Sequence, residues 1–404
     1  MKKSLRTLFS RTRTNLMKTI LCIFGTRPDT IKMAPVISEL RKYPNEFKVV
    51  TAATGQHRRM LDQVLQVFDI RPDFDLNIME KGQTLSQITG RTVEGLDSIV
   101  ARVKPDMVLI QGDTSTTFLA SLVAFYHKAA VGHVEAGLRT FDKYNPFPEE
   151  INRRLTAHIA DLHFAPTETA KKTLLKEHIK PEAIFVTGNT VIDALKDTVQ
   201  PDYRFVSAQV QEIAEASNRG NKVVLVTAHR RENWGQPIHS ICRAVRLLAE
   251  GHREVIFAFP VHENPEIRKV VFDVLTGMPN VKLLETLNYK EFVNLLNLCF
   301  FVLTDSGGLQ EEAPSLGKPV LVLRKVTERP EAIKAGSVKL IGLEAEKIYS
   351  EARKLIEDTR AYRKMATNVN PYGDGKSAAR IVEAIRWHFG FQKKRPSDFK
   401  PKIK

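Results

Sequence analysis

Three acidic residues in the first half of the chain could carry proton-transfer chemistry. Asp113 and Glu135 each end a short apolar run, and Glu149 follows Pro148 at the start of a predicted helix. The carboxyl ends of parallel strands meet at one sheet edge, where ligands bind. Grouped, buried carboxyl groups resist ionisation, so we expect a raised pKa in at least one of them. The competing interpretation, that each acid only caps a helix, explains one acid more easily than three.

A glycine turn in the second half predicts a phosphate site. Ser306, Gly307 and Gly308 lie between the apolar run that ends at Asp305 and a predicted helix. Unhindered backbone N–H groups and the positive end of the helix would point at one spot. Glu312, one turn into the helix, could accept hydrogen bonds from two ribose hydroxyls. A purely structural glycine turn is the alternative.

Cationic side chains follow the first predicted strand of each half. Arg27 lies in the turn after the first strand, Lys32 lies in the next helix, and His229 holds the equivalent edge in the second half. Arg27 and Lys32 could neutralise a diphosphate, and His229 could donate to it or to a leaving oxygen. Solvated charges at helix starts are the alternative, more so for Lys32 than for Arg27.

Two sequence patterns argue against common cofactor sites. The segment 375–377 resembles the end of a Walker motif, but Asn370 stands where its first glycine would be. No Gly-x-Gly-x-x-Gly segment follows a strand with an acid about 20 residues later, so nicotinamide and flavin have no evident site. Cys22, Cys242 and Cys299 form no metal-binding cluster, which predicts reduced cytosolic packing thiols. We expect neither a cofactor nor a metal.

Alternating apolar and helix-period segments divide the 404-residue chain into two α/β halves. Strands are predicted at 20–24, 47–53, 107–111, 130–135, 162–165 and 183–188, and then, after a polar, helix-prone connection at 200–221, at 223–228, 255–260, 281–284, 300–305, 319–323 and 337–341. This repetition predicts two doubly wound, Rossmann-like domains that face each other across a cleft.

The predicted boundaries give two domains and two basic ends. They are a disordered basic extension at 1–18, an α/β domain with the acids at 19–200, an α/β domain with the glycine turn at 201–370, a helix crossing back within 371–391 and a basic tail at 392–404. We interpret both ends as dispensable, so a protein running from Met17 to Phe391 is expected to fold and work normally.

The positive charge of the chain lies mainly at its ends. The formal net charge is +15, but residues 1–18 carry six basic residues and no acid, and residues 386–404 carry seven basic residues and one acid. A nearly neutral body without a basic, aromatic stripe argues against a nucleic-acid partner. No apolar run approaches the roughly 18 residues that span a bilayer, so we expect no integral membrane association.

Between residues 20 and 389 the chain resembles the non-hydrolysing UDP-N-acetylglucosamine 2-epimerases. The segments that resemble family signatures, in family order, include GTRPDTIKMAPV, GDTSTTFLASL, GHVEAGLRTFDKYNPFPEEINRRL, TGNTVIDAL, TAHRREN and LTDSGGLQEEAPSLG. The resemblance implies a GT-B-like fold, a homodimer in the cytoplasm, and interconversion of UDP-GlcNAc and UDP-ManNAc for cell-surface polysaccharide.

An elimination mechanism agrees with the expected lack of a cofactor. Carbon 2 of the sugar is not next to a carbonyl, so its proton is not acidic, and oxidation at carbon 3 would need a nicotinamide. Elimination of UDP across C1 and C2 gives a 2-acetamidoglucal, and re-addition with protonation on the other face completes the epimerisation. This route needs carboxylates around C2 and a cleft that retains UDP.

The resemblance also implies roles for individual residues. The catalytic group would be Asp113, Glu135, Glu149 and His229; the substrate-binding group Arg27, Lys32, Phe292, Ser306, Gly307, Gly308, Glu312 and Arg329; and the site of a second, activating UDP-GlcNAc Gln56, Gln83, Arg230 and His262. Which acid donates and which accepts the C2 proton stays open.

Three positions depart from the family pattern. Gly82 stands where some members have arginine beside Gln83, which leaves the strength of activation open. Asp29-Thr30 and Lys325-Val326 replace a usual Glu-Ala and a common Asp-Thr, and could retune affinity. The alternatives are a GT-B glycosyltransferase, an epimerase that hydrolyses its product to free N-acetylmannosamine, and a non-enzymatic UDP-sugar sensor.

Overall fold

The computed structural model describes residues 17–55, 58–80, 82–327, 329–367 and 369–401. Most of the predicted N-terminal extension therefore lies outside the described residues. The first strand begins at Lys18, inside the extension predicted for 1–18, and Lys18 Nζ lies 2.8 Å from Asp106 Oδ1. At least this last residue of the predicted extension belongs to the folded domain.

The first half forms a seven-stranded parallel sheet. Its strands are β1 (Lys18–Phe24), β2 (Phe47–Ala53), β3 (Phe74–Asp75), β4 (Met107–Gln111), β5 (Ala130–Val134), β6 (Leu162–Ala165) and β7 (Ile184–Val186), in the order β3-β2-β1-β4-β5-β6-β7. Its helices are α1 (Arg27–Leu40), α2 (Arg58–Val67), α3 (Leu85–Val103), α4 (Ser115–Tyr126), α5 (Glu149–Ile159), α6 (Glu168–Lys176) and α7 (Thr190–Thr198).

The second half repeats this architecture with six parallel strands. They are β8 (Val223–Thr227), β9 (Ile256–Pro260), β10 (Val281–Leu284), β11 (Phe301–Thr304), β12 (Val320–Val322) and β13 (Val338–Leu340), in the order β10-β9-β8-β11-β12-β13. The helices are α8 (Ala208–Asn218), α9 (Gln236–Gly251), α10 (Pro265–Leu275), α11 (Tyr289–Leu298), α12 (Leu309–Ser315), α13 (Pro330–Ala335), α14 (Ala345–Glu357), α15 (Thr359–Ala366) and α16 (Ser377–His388). The predicted fold of two doubly wound domains is confirmed.

The strand order reverses beside β1 in the first sheet and beside β8 in the second. Strand β1 pairs with β2 on one side and β4 on the other, and β8 pairs with β9 and β11. The connections leave in opposite directions at such points, so a crevice opens at the carboxyl ends of the strands. The predicted site residues Arg27, Asp113, Glu135, His229 and Ser306 follow β1, β4, β5, β8 and β11 in turn, which places them at the carboxyl edges of the two sheets.

The turn between β1 and α1 is fixed by its sequence. A Cβ atom on Gly25 would lie 2.5 Å from the Oγ1 atoms of Thr54 and Thr116, so only glycine lets the three segments approach this closely. Thr26 then caps α1 in a capping box with Asp29. These features hold Arg27 at the start of the helix, at the carboxyl end of β1.

Helix α16 returns to the first sheet. Its Ile381, Val382 and Ile385 are fully buried, or nearly so, in a cluster with Phe164 and Phe185 of β6 and β7. The helix therefore contributes to the core of the first domain although it follows the second domain in sequence.

The segment after α16 makes specific contacts with β7, unlike the dispensable tail expected from the sequence. Asp398 Oδ1 accepts a hydrogen bond from the N–H of Val186 at 2.9 Å, and the N–H of Phe399 donates to Val186 O at 2.7 Å. Arg395 lies over the ring of Phe185 and donates to Ile184 O at 2.7 Å. These contacts cover the exposed edge of the sheet, because β7 is its last strand.

In the part of the chain that the structure describes, no helix has both the length and the apolar character needed to span a membrane.

Candidate active site

A cavity of about 550 Å³ lies between the two domains. It is lined by residues that follow β1 and β8, the central strands of the two sheets, and by residues from α11 and α12. The predicted site residues among its lining are Arg27, Lys32, His229, His262, Phe292, Ser306, Gly308, Glu312 and Arg329. The structure therefore brings most of the predicted nucleotide-binding residues to one cavity.

Glu135 is buried and surrounded by hydrogen-bond donors. Lys32 Nζ lies 2.7 and 2.6 Å from its two carboxylate oxygens, and Asn189 Nδ2 donates to Oε1 at 2.9 Å. Gln111 Nε2 donates to Oε2. The backbone of Glu135 has φ of 64°, in the left-handed region that residues with a side chain rarely adopt. Such strain costs about 1–3 kcal/mol and is concentrated at functional sites.

Cations next to Glu135 lower its pKa. Burial raises the pKa of this carboxyl group, but the Lys32 ammonium and the Arg329 guanidinium more than offset burial and hold the pKa below its usual value. The raised pKa expected in at least one of the three acids is therefore not found at Glu135. Glu135 is a carboxylate at neutral pH.

Asp113 lies at the end of the neighbouring strand and is paired with an arginine that sequence reasoning missed. Arg153 Nε donates to Asp113 Oδ2 at 2.7 Å, and its Nη2 lies 2.5 Å from the same oxygen. Arg153 belongs to α5, four residues after Glu149. The Arg153 side chain thus ties the acid after β4 to the helix that begins with the third acid.

Glu149 borders a second, smaller cavity of about 280 Å³, whose walls also include Thr26, Thr114 and Gln83. Thr26 and Arg27 are adjacent, so the start of α1 separates this cavity from the larger one. Among the described residues, the walls of the larger cavity include none of the three acids. Glu135 connects to that cavity through Lys32.

His229 is oriented by a buried carboxylate. Its Nδ1 lies 3.0 Å from Asp305 Oδ1, while Asp305 Oδ2 accepts the backbone N–H groups of His229 and Arg230 at 2.8 and 2.9 Å. Burial raises the pKa of Asp305, but these bonds and the His229 ring bring it below its usual value. The His229 ring nitrogen that faces away from Asp305 is the one available to a ligand.

The glycine turn follows β11 at the wall of the larger cavity. A Cβ atom on Gly307 would lie 3.3 Å from Arg230 Nη2, and one on Gly308 would lie 3.6 Å from Glu312 Oε1. Gly308 and Ser306 line the cavity, whereas Gly307 is not among its lining residues. The turn therefore brings backbone close to the cationic and carboxyl groups expected around a diphosphate and a ribose.

Two carboxyl groups in the first turns of α1 and α12, neither of them among the three predicted acids, have raised pKa values. Burial and the nearby Glu311 carboxylate raise the pKa of Glu312 to about 7, although Lys32 and Arg27 lower it. Burial raises the pKa of Asp29 to about 6. Sequence reasoning missed both shifts, because they depend on burial and on neighbours that are distant in sequence or pack only in the folded protein.

Of the four residues predicted for a second UDP-GlcNAc, the three that the structure describes do not line one shared cavity. Gln56 lies outside the described residues, and Gln83 borders the smaller cavity. Arg230 Nε donates to Asp305 O at 3.0 Å. His262 lines the larger cavity, where its ring stacks on that of His229 with centroids 6.3 Å apart.

Asn189 and Glu311 are functional candidates that the sequence did not single out. Glu311 is buried, accepts from Arg329 Nε, and receives a hydrogen bond from Asn189 Nδ2 at 2.6 Å. Only their positions in the sequence could have indicated them: Asn189 follows β7 within the TGNT segment, and Glu311 directly precedes Glu312. In the described part of the chain, no group of three or more potential ligands could hold a metal ion.

Two facing Rossmann-like domains with a cationic cleft constitute a GT-B-like fold. The chain belongs to the UDP-N-acetylglucosamine 2-epimerase family, whose model matches residues 38–386. A Bacillus subtilis UDP-N-acetylglucosamine 2-epimerase is 52% identical over 381 residues, covering 94% of this chain and 98% of that protein.

Two solved structures with nucleotide ligands are similar to this one. The UDP-GlcNAc 2-epimerase of Neisseria meningitidis, bound to UDP-GlcNAc, is 48% identical with a TM-score of 0.81, over 91% of this chain and 99% of that one. The S. aureus MnaA structure with UDP is 47% identical with a TM-score of 0.84, over 95% of this chain and all of that one.

Proposed function

We propose that the protein interconverts UDP-GlcNAc and UDP-ManNAc, the activity that its family name describes. The observation that carries this proposal is the arrangement of Glu135, an ionised, strained carboxylate, joined through Lys32 to the cavity between the domains. A nucleotide in that cavity would place its sugar near the carboxyl ends of β4 and β5, where Asp113 and Glu135 lie.

The reaction proceeds by elimination and re-addition. A carboxylate takes the proton from C2, the electrons of that bond form the C1–C2 double bond, and the C1–oxygen bond breaks to release UDP. In the second step the UDP oxygen attacks C1 while a carboxyl group protonates C2 on the opposite face. Asp113, Glu135 and Glu149 supply these groups, and the ionised state of Glu135 suits it to accept a proton or to stabilise positive charge at C1.

The cleft retains UDP between the two steps. Arg27, Lys32 and Arg329 line it with positive charge, which compensates the charge that develops on the leaving diphosphate. His229, oriented by Asp305, donates to that diphosphate or to the leaving oxygen. Gly307 and Gly308 offer backbone N–H groups and Ser306 offers its hydroxyl group, because the Ser306 N–H already donates to Thr304 Oγ1. Glu312 accepts hydrogen bonds from the ribose hydroxyls, and Phe292 forms part of the apolar wall.

The wider role follows from the family resemblance. We propose a homodimer in the cytoplasm that supplies N-acetylmannosamine units for cell-surface polysaccharide. A second UDP-GlcNAc acting as an activator would bind beside the smaller cavity, which Gln83 borders. The three cysteines are free and buried, as a reducing compartment allows.

Product analysis of UDP-GlcNAc incubated with the protein alone distinguishes this function from its alternatives. The proposal predicts UDP-ManNAc at equilibrium with UDP-GlcNAc, with no accumulation of free UDP or N-acetylmannosamine. Stoichiometric release of UDP and free N-acetylmannosamine would identify a hydrolysing epimerase. Tight binding without any new product would favour a sensor or a transferase that lacks its acceptor, and would contradict the proposal.

A further inference from the structure

Asn189 lies where the two domains and the returning chain meet. It is 2% exposed and caps α7, with Oδ1 accepting the N–H of Val191 at 3.1 Å. Its own N–H donates to Tyr372 O at 2.6 Å, in the segment that leads from the second domain back to α16. These backbone and cap contacts fix the position of the side-chain amide.

The amide of Asn189 donates to one carboxylate from each domain. Nδ2 donates to Glu135 Oε1 at 2.9 Å and to Glu311 Oε2 at 2.6 Å. Oδ1 is already held by a backbone N–H, so the orientation of the amide is determined by its partners. Both amide protons are therefore used, one for the acid after β5 and one for the acid in α12.

Each of the two carboxylates has its own cation. Glu135 is paired with Lys32 and Glu311 with Arg329. Asn189 is the neutral donor between two like charges, and without its two N–H groups those carboxylates would face each other across a buried gap.

We propose that Asn189 is a positioning residue for Glu135. Its amide donates to Glu135 and also to Glu311 of the second domain, so the second domain helps to set the orientation of Glu135. The inference rests on the proposed function, because it assigns Asn189 a role in the reaction of Glu135. It makes the working state of this acid depend on contact between the domains, so a nucleotide held by both domains and the catalytic carboxylate are linked through one amide.

The titratable groups around Glu135 determine the sign of the expected pH effect. They are Lys32 from α1, Arg329 before α13, Glu311 from α12 and His133 from β5, whose pKa burial lowers to about 4. Burial raises the pKa of Glu135, while Lys32, Arg329 and the hydrogen bond from Asn189 lower it. Loss of the Asn189 bond therefore raises the pKa of Glu135. As the pH falls, activity that needs the ionised form is then lost at a higher pH than in the wild-type protein.

The test compares Asn189→Ala and Asn189→Ser with the matched control Asn294→Ala. Asn294 is also 2% exposed and also joins α7 to the second domain, through Thr198 O at 3.3 Å, but it contacts no site carboxylate in the described residues. The Asn189→Ser variant lacks the amide but keeps a favourable N-cap and adds no charge beside Glu135 and Glu311, so it keeps the test open if Asn189→Ala fails to fold.

Both Asn189 variants should lower kcat by about tenfold or more, with UDP affinity by calorimetry changed by less than about threefold. The acidic limb of the kcat/KM profile should move up by about one pH unit, the size expected for one lost bond to a buried carboxylate. Asn294→Ala should leave kcat and the pH profile unchanged. If Asn189→Ser keeps the wild-type kcat and pH profile, the inference is wrong. An inactive wild-type protein would instead overturn the proposed function.

Discussion

The three acids of the site have different surroundings, although they were predicted as one group. Glu135 is buried among three polar donors, Asp113 is tied to Arg153, and Glu149 is half-buried at the first turn of α5. A carboxylate paired with a cation is already ionised and can accept a proton, whereas a general acid must hold one. Because Glu135 is ionised, it is suited to accept the C2 proton and not to donate one in the first step.

Replacing each acid by its amide should reduce turnover and leave UDP binding intact. Asp113→Asn, Glu135→Gln and Glu149→Gln are each expected to lower kcat by about a hundredfold or more, the usual contribution of an acid–base group. Steady-state kinetics and calorimetry with UDP measure the two effects. Asp106→Asn is the control, since Asp106 pairs with Lys18 at the opposite edge of the same sheet. Near-normal turnover in all three site variants would show that these acids are structural.

Glu312 should make the stability of the ligand-free protein depend on pH. Burial and Glu311 raise its pKa in the folded protein to about 7, above the value of the unfolded chain. Its contribution is then fully present at low pH and is lost as the pH rises through about 7. Glu312→Gln has no carboxyl group to ionise. Its free energy of unfolding relative to that of the wild type should therefore increase as the pH rises from about 4.5 through about 7. Urea denaturation at a series of pH values measures this, and a constant difference would contradict it.

At the scale of elements, strands with apolar runs were predictable from the sequence, including the edge strands β7, β10 and β13, but the two-residue edge strand β3 was not. The predicted bounds of β2, β4, β6 and β10 agree with the structure, because their apolar runs end at polar residues. Strand β3 has two residues, one of them exposed, so it leaves no hydrophobic pattern. The fold class therefore follows from the hydrophobic pattern, whereas a strand as short as β3 depends on tertiary pairing.

The contacts of the C-terminal segment change the expectation for a shortened protein. Ending the chain after Phe391 would remove Arg395, Asp398 and Phe399 from β7 and expose the edge of the sheet. We expect a loss of about 1–3 kcal/mol in the free energy of unfolding from the buried bonds, together with more aggregation. Chemical denaturation and light scattering measure both.

The matched control for this deletion removes only residues 402–404, so the segment that contacts β7 stays. Equal stability of the two shortened proteins would restore the earlier interpretation of this tail as dispensable. The prediction for residues 1–16 is unchanged, since they lie outside the described residues.

At the scale of the molecule, the sequence predicted that residues from both domains meet at one cleft, but not how their charges pair. Residues at the ends of β1, β4, β8 and β11 were predictable, because the topology of parallel sheets places such positions together. The pair of Lys32 with Glu135 spans 103 positions, and the contact of Asn189 with Glu311 spans 122. No local pattern specifies such contacts, so the lowered pKa of Glu135 could not be predicted from its neighbours in sequence.

Proton NMR of UDP-GlcNAc incubated with the wild-type protein in deuterium oxide tests the central claim most directly. Elimination passes the C2 proton to a carboxyl group that exchanges with solvent, and re-addition returns a deuteron. The account predicts UDP-ManNAc that carries deuterium at C2, formed without added cofactor, metal or acceptor. UDP-ManNAc that keeps its original C2 proton, or an absolute need for a nicotinamide, would contradict it.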